Sequence, residues 1–505
     1  MARSMGVADG SSSKKSLILR VLKEGVYPYK FRLLSVMAFM LLSAAAVAYR
    51  AYLIKPAVDR VFVSKNIIDL YMIPLKLTIV AVICCLSTYL QNLLMSNTCG
   101  RIRMDLQVKL FSKLLGKDID FYQKQSSGRI GTYLNDASGM SEIVDVVLNG
   151  FLLQVFTIIF LVSVMIYQNP RLSIVSLTAF PVVIFPIISI GKKTKDLADN
   201  SRERLADVTS AMTESFNNIK VIKSNNKELE EVSRLDSLFS RIHKTSMALA
   251  KKSLFISPLM EMISMIAFAL VIFYSGNSIV SGTVSAGDFF TFVTAMFSAY
   301  KPAKSITGLS IQFQNALSCV RRYFALMDQK NRIVESENPA VLSSVEGNIK
   351  FNKVSFYYPR SIPPDGIYEF WNDSEKLSEQ PALSDINLNI TAGKSYALVG
   401  HSGSGKTTIF NLILRFYDAS SGSITIDNVD VRDLSFSTLR GNISVVDQDV
   451  KLFDASILEN IRYTKSNATQ EEVIDVAKMA NVDEFVRNMP HGYRTIIGHD
   501  GTLLS

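Results

Sequence analysis

The feature that most constrains this chain is a series of long, uncharged apolar runs. A bilayer core is crossed by about 20 apolar residues in a helix. Leu33–Tyr49 is uncharged and can extend past Arg50, and Leu77–Gly100, Val146–Pro170, Leu172–Gly191 and Met262–Gly287 carry no charged residue at all. A sixth run begins at Phe289, is interrupted by Lys301 and Lys304, and resumes from Ile311 to Val320. Six spans are expected. Hydrophobic residues make up 48% of the 505-residue chain, yet 20% are charged, so a lipid-embedded part is joined to a water-soluble one. Runs of this length exclude a soluble P-loop enzyme or a nucleic-acid motor, although the net charge is +9.

The basic residues are distributed unevenly. Arg101, Arg103, Lys109, Lys113, Lys117, Lys124 and Arg129 follow the second run, and a longer set from Lys192 to Lys252 follows the fourth. The opposite loops hold little, with Arg60 and Lys65 after the first run and Arg171 after the third. The positive-inside rule puts both long basic segments and both termini in the cytoplasm. These segments have few helix breakers and apolar positions three and four apart, so two spans are expected to continue as helices into the cytoplasm and return. Polar clusters at 123–131 and 214–228 mark the tips. Residues 1–31 lack a signal peptide's apolar core, and 16–31 suit an interfacial helix. Cys84, Cys85, Cys99 and Cys319 have no metal-like spacing and read as packing residues.

After a helix-like stretch and a polar linker at 326–345, the pattern changes. IKFNKVSFYY, INLNI, SYALVG, SITID and NISVVD read as strands of an α/β domain over 346–505. Within it GHSGSGKTT at 400–408 fits G-x-x-x-x-G-K-[ST] between an apolar strand-like run and the helix-like IFNLILRFY. Gly400, Gly403 and Gly405, with Ser402 and Ser404 between them, let the backbone wrap tightly. The amides from Gly403 to Thr408 then face phosphate oxygens, and the following helix adds its positive end. Lys406 would neutralise the β and γ phosphates, and the Thr407 hydroxyl would ligate Mg2+.

Around this motif the chain resembles the ATP-binding-cassette (ABC) exporter family. VSFYYP places Tyr358, with Tyr357 as its rival, where the family stacks an aromatic ring on adenine. GSITIDNVDVRDLSFSTLRGNISVVDQDVKLFDASILENI resembles the stretch through the Q-loop, putting Gln448 where a glutamine reaches Mg2+ and the attacking water. FYQKQSSGRIGTYLNDAS and residues 214–228 resemble the two coupling helices. KPAKSITGLSIQFQNALSCVRRYFALMD is most similar to the lipid-A flippase and multidrug-exporter branch. The resemblance implies a type I exporter fold: a cytoplasmic segment (1–31), a six-span domain (32–325), a linker (326–345) and an ATP-binding domain (346–505).

It also implies ATP and Mg2+ as cofactors, a homodimer in a bacterial inner membrane with its nucleotide domain in the cytoplasm, and alternating-access export or flipping of a lipid or drug-like amphiphile. No nucleic acid is expected. Lys301 and Lys304, on one helix face, would draw an anionic head group if they line a watery cavity; the alternative is that the span starts later and both snorkel. Leu504 and Ser505 match the first two letters of the signature motif, and the Walker B aspartate and its neighbouring glutamate do not follow, so the nucleotide domain is expected to be incomplete and its hydrolysis doubtful. A non-transporting protein that at most binds nucleotide is the alternative. Ile496 and His499 stand where the family has glutamates, and 360–381, with Trp371, reads as an exposed insertion.

Overall fold

The computed structural model describes residues 17–168, 204–280, 285–359 and 378–498, less isolated positions within these ranges. The run 172–191, the insertion at 360–381, His499 and 503–505 lie wholly or almost wholly outside the described residues. The chain divides into two units, one running through Lys330 and the other beginning at Asn331.

The first unit is helical. Helices α1 (Lys30–Tyr52), α2 (Ile67–Leu115), α3 (Ile119–Lys124), α4 (Ser127–Asp136), α5 (Ser138–Asp145) and α6 (Leu153–Gln168) are followed by α7 (Ile219–Ser224), α8 (Glu228–Val280) and α9 (Ala286–Asp328). At about 1.5 Å per residue, the 49 residues of α2 and the 53 of α8 each measure more than twice a bilayer's hydrocarbon core, so both continue into water. Asn66 starts α2 by accepting the Ile68 N–H at 3.0 Å. Gly116 ends it, and the chain returns through α3, α4 and α5. Among the described residues three helical stretches, Leu19–Val63, Ile67–Leu115 and Ile130–Gln168, are long and apolar enough to cross a membrane.

Polar pairs record how these helices are registered. Tyr29 donates to Asp105 and Ser43 meets Thr88 at 2.9 Å, aligning α1 antiparallel to α2. Gln91 to Asn149 (2.9 Å), Cys99 to the Ser141 carbonyl (3.6 Å) and Gln107 to the Leu134 carbonyl (3.4 Å) align α2 with the α4–α6 strand of helices. The segment before α1 is helical as expected, with Val21 buried and Arg20 paired to Asp328 at 2.5 Å and to Glu24 at 2.9 Å. The sixth run is one uninterrupted 43-residue helix, α9, which passes through Lys301, buried Pro302 and Lys304.

The second unit holds a four-stranded antiparallel sheet in the order β2-β1-β3-β4, formed by β1 (Ile349–Phe356), β2 (Leu383–Ile390), β3 (Ser421–Ile426) and β4 (Val429–Asp430). Helices α10 (Lys406–Ile413), α11 (Phe436–Gly441), α12 (Ile457–Arg462) and α13 (Gln470–Met479) belong to the same unit. Asp427 ties β1's entry to the sheet by accepting the backbone N–H groups of Glu346 and Asn348 at 2.8 and 2.9 Å and of Gly347 at 3.2 Å. Two expected strands are not strands. SYALVG and NISVVD have no ladder partner among the described residues, and Val399 and Val446 are 94% and 91% exposed. An apolar run becomes a strand only when another strand takes up its backbone hydrogen bonds.

Candidate nucleotide-binding site

The phosphate loop is shaped by its glycines. Gly403 and Gly405 have φ of +83° and +88°, in the left-handed region where a side chain is strained. Gly405 is also the N-cap of α10, and a Cβ there would lie 2.6 Å from Leu383 Cδ2 and 2.8 Å from the Ala382 carbonyl oxygen. A Cβ on Gly400 would lie 2.6 Å from Ser404 Oγ. Glycine is required at 405 for both conformation and space. The Ser404 N–H donates to the His401 carbonyl at 3.2 Å, closing the turn.

Lys406 curls back over this loop. Its Nζ donates to the carbonyls of Gly400 and His401, both at 2.8 Å, and approaches Ser404 Oγ at 3.4 Å. The ammonium is thereby held over the loop, while Ser402, Gly403 and Ser404 are exposed. The two threonines divide. Thr407 is exposed and its hydroxyl is accessible, whereas Thr408 is 5% exposed and faces the interior. Ile409, Leu412 and Ile413 anchor α10 on its buried side.

Tyr358 joins this helix from β1's end. Its hydroxyl lies 3.1 Å from Thr408 Oγ1 and accepts from Asn411 Nδ2 at 3.5 Å. Its ring makes edge contacts with Phe356 and Tyr417, with centroids 4.8 and 5.2 Å apart. The backbone N–H of Tyr357 donates to Ser420 Oγ at 3.2 Å. Sequence reasoning did not find the roles of Thr408, Asn411 and Tyr417 in seating Tyr358, since no local pattern links positions so far apart.

Gln448 is exposed, and its backbone N–H donates to the Asp447 carboxylate at 2.7 Å. Among the described residues no hydrogen bond joins its side chain to Lys406 or Thr407. Lys301 and Lys304 lie in the first unit, both exposed on α9.

A helical unit with membrane-length apolar helices, joined to a unit carrying a glycine-shaped phosphate loop, defines a membrane transporter of the ATP-binding-cassette class. Residues 33–300 match the ABC transporter transmembrane region and residues 383–498 match the ABC transporter model, and the chain belongs to the ABC transporter family. It is 32% identical over 494 residues to an ATP-dependent lipid A-core flippase of Desulfotalea psychrophila, covering 98% of this chain and 83% of that protein. A protein of the same name from Syntrophus aciditrophicus is 32% identical, with 95% of this chain and 76% of the relative covered. Among solved structures, a bacterial Atm1-family ABC exporter with ATP bound matches with a TM-score of 0.76 at 20% identity, covering 94% of this chain and 81% of that one. That likeness shows an exporter fold.

Proposed function

We propose that this chain is an ATP-driven exporter that moves a lipid or similar amphiphile across a bacterial inner membrane, with its nucleotide unit in the cytoplasm. The observation that carries the reading is the Lys406 ammonium held over a loop shaped by Gly403 and Gly405, in a chain whose other unit has membrane-length helices. The flippase relatives support a lipid substrate.

The residues present fit ATP and Mg2+. The Lys406 ammonium sits over carbonyls of its own loop, and the glycines leave open the space that side chains would fill. With nucleotide bound, the amides from Gly403 to Thr408 and Lys406 would hold its phosphates, and exposed Thr407 would offer its hydroxyl to Mg2+. Gly400, Ser402 and Ser404 shape the wall. Tyr358 would offer a ring to adenine, and Gln448 would orient water once it approaches the loop. Bound Mg2+ supplies charge neutralisation for phosphoryl transfer.

Two copies would enclose one pathway, and closure of their nucleotide units would switch its access between the two sides of the membrane. Lys301 and Lys304 would draw an anionic head group into that pathway.

A second reading is binding of nucleotide without transport. The exposed apolar side chains of Val399, in the segment leading into the loop, and of Val446 favour it. Movement of a fluorescent anionic phospholipid in proteoliposomes, with and without ATP, decides between the two. ATP-dependent movement lost in Lys406→Ala supports export. Nucleotide binding with no lipid movement leaves the second reading.

A further inference from the structure

The end of the first span meets the start of α9 through a compact set of polar contacts. After α1 the chain continues through a short helix, Ile54–Pro56, and a π-helical segment, Ala57–Val63, that carries Asp59. The Asp59 carboxylate accepts the Ser285 hydroxyl at 2.8 Å and the Gly287 backbone N–H at 2.9 Å, so a residue of another segment caps α9. Ser285 and Asp288 form their own capping box at the same point. Lys55 completes the set, with its Nζ 2.7 Å from Asp288 and 3.5 Å from Gln168 Oε1 at the end of α6.

Three properties give this cluster a mechanical meaning. The contacts are polar and stand at the helix ends, with Lys55 39% exposed, so water can replace them when the helices part. Two carboxylates, Asp59 and Asp288, share the single Ser285 hydroxyl, at 2.8 and 3.0 Å. Lys55 is the cation paired with Asp288, so its loss leaves two acids facing one another. Below the cluster, α1, α6 and α9 meet through Ala48, Ala51, Leu161, Ala295 and Ala299, whose side chains are buried from water.

We propose that Lys55, Asp59, Ser285 and Asp288 form a latch that keeps the first and sixth spans together at their outer ends and that must release for the pathway to open outward. Opening to the outside rests on the orientation and transport proposed above. The latch itself rests on the contacts. Gly287 adds an independent handle: a Cβ there would lie 2.6 Å from the Asp59 carboxyl, so a methyl group would expel it without changing any charge.

The test places one cysteine beneath the latch, Ala295→Cys, at a position that is 0% exposed. The chain otherwise has Cys84, Cys85, Cys99 and Cys319 replaced by serine and sits in right-side-out membrane vesicles. The rate of modification by a membrane-impermeant maleimide then reports the open fraction. Lys55→Gln and, separately, Gly287→Ala should each raise this rate about 5-fold, the scale of one partly exposed ionic contact. Adding Asp288→Asn to Lys55→Gln should bring it back towards the parent by removing the unpaired acid. Rates unchanged by both single substitutions, or no recovery in the double variant, overturn the latch. The measurement needs no nucleotide. An absent response to added ATP therefore counts against transport alone, and modification in inside-out but not right-side-out vesicles counts against the orientation alone.

Discussion

Replacing Gly405 by alanine tests the phosphate loop more sharply than removing any charge. The residue sits at φ +88°, and a left-handed conformation costs a non-glycine residue roughly 1–2 kcal/mol. The added Cβ would stand 2.8 Å from the Ala382 carbonyl oxygen and 2.6 Å from Leu383 Cδ2. The leucine can turn aside, but the carbonyl belongs to the backbone leading into β2 and yields only if the strand or the loop moves. Overpacking of this kind costs about 1–3 kcal/mol. The two terms together are about 2–5 kcal/mol, and since roughly 1.4 kcal/mol is tenfold, they correspond to about 30-fold or more if the loop distorts to relieve them. The assay is titration of the full chain in detergent with a fluorescent ATP analogue, with a thermal melt beside it. Gly405→Ala should weaken binding at least about 30-fold or lower the melting temperature of the nucleotide unit. Unchanged affinity together with an unchanged melt would refute the geometric reasoning at this loop.

Lys406→Ala should weaken the same analogue by about 1.5–3 kcal/mol through loss of a charge-assisted contact; equal affinity in the two proteins would remove Lys406 from the site. Tyr358→Phe removes the hydroxyl near Thr408 and should cost about 0.5–1.5 kcal/mol of stability while retaining a ring for adenine, so a drop in affinity as large as that of Tyr358→Ala would contradict it. Asp427 has two opposing influences: burial pushes its carboxyl up, but the backbone N–H groups of Asn348, Gly347 and Glu346 outweigh it and hold the carboxyl below its ordinary range. Its stabilisation is therefore present above the unfolded carboxylate's pKa and lost as pH falls through the lowered one. Asp427→Asn should reduce stability at neutral pH and flatten its acid dependence, as followed by denaturant melts between pH 5 and 2. Lys117, whose ammonium donates to the Gln329 carbonyl at 2.6 Å, is pushed down to about 8 chiefly by burial, with Lys113 adding to it. The folded chain pays for that charge below pH 8 and is relieved of it as pH rises towards the unfolded lysine's value. The melting-temperature gap between the parent and Lys117→Gln should consequently change between pH 8 and 10, and a gap independent of pH would count against it.

The helices and the loop were legible because their signals are local. Leu77–Gly100 announces a span by its lack of charge, and the helix found there extends on both sides of that run. GHSGSGKTT announces a turn followed by a helix, and the left-handed Gly403 and Gly405 lie where its spacing requires them. The S-x-x-D pattern at 285–288 was an available but unused signal for the start of α9. Lys301 and Lys304 interrupt the apolar run without interrupting the helix expected there. A lysine disfavours lipid without disfavouring a helix, so α9 runs through both.

By itself the sequence determined where apolar helices form and where a phosphate loop closes, because uncharged runs and glycine spacing act within a few residues. Tertiary structure alone decided which partners those elements take. It set Tyr358 against Thr408 across 50 residues and brought Asp59 to Gly287 across 228. Burial and pairing of this kind depend on surfaces supplied by distant parts of the chain, so no window of residues around one partner contains the other.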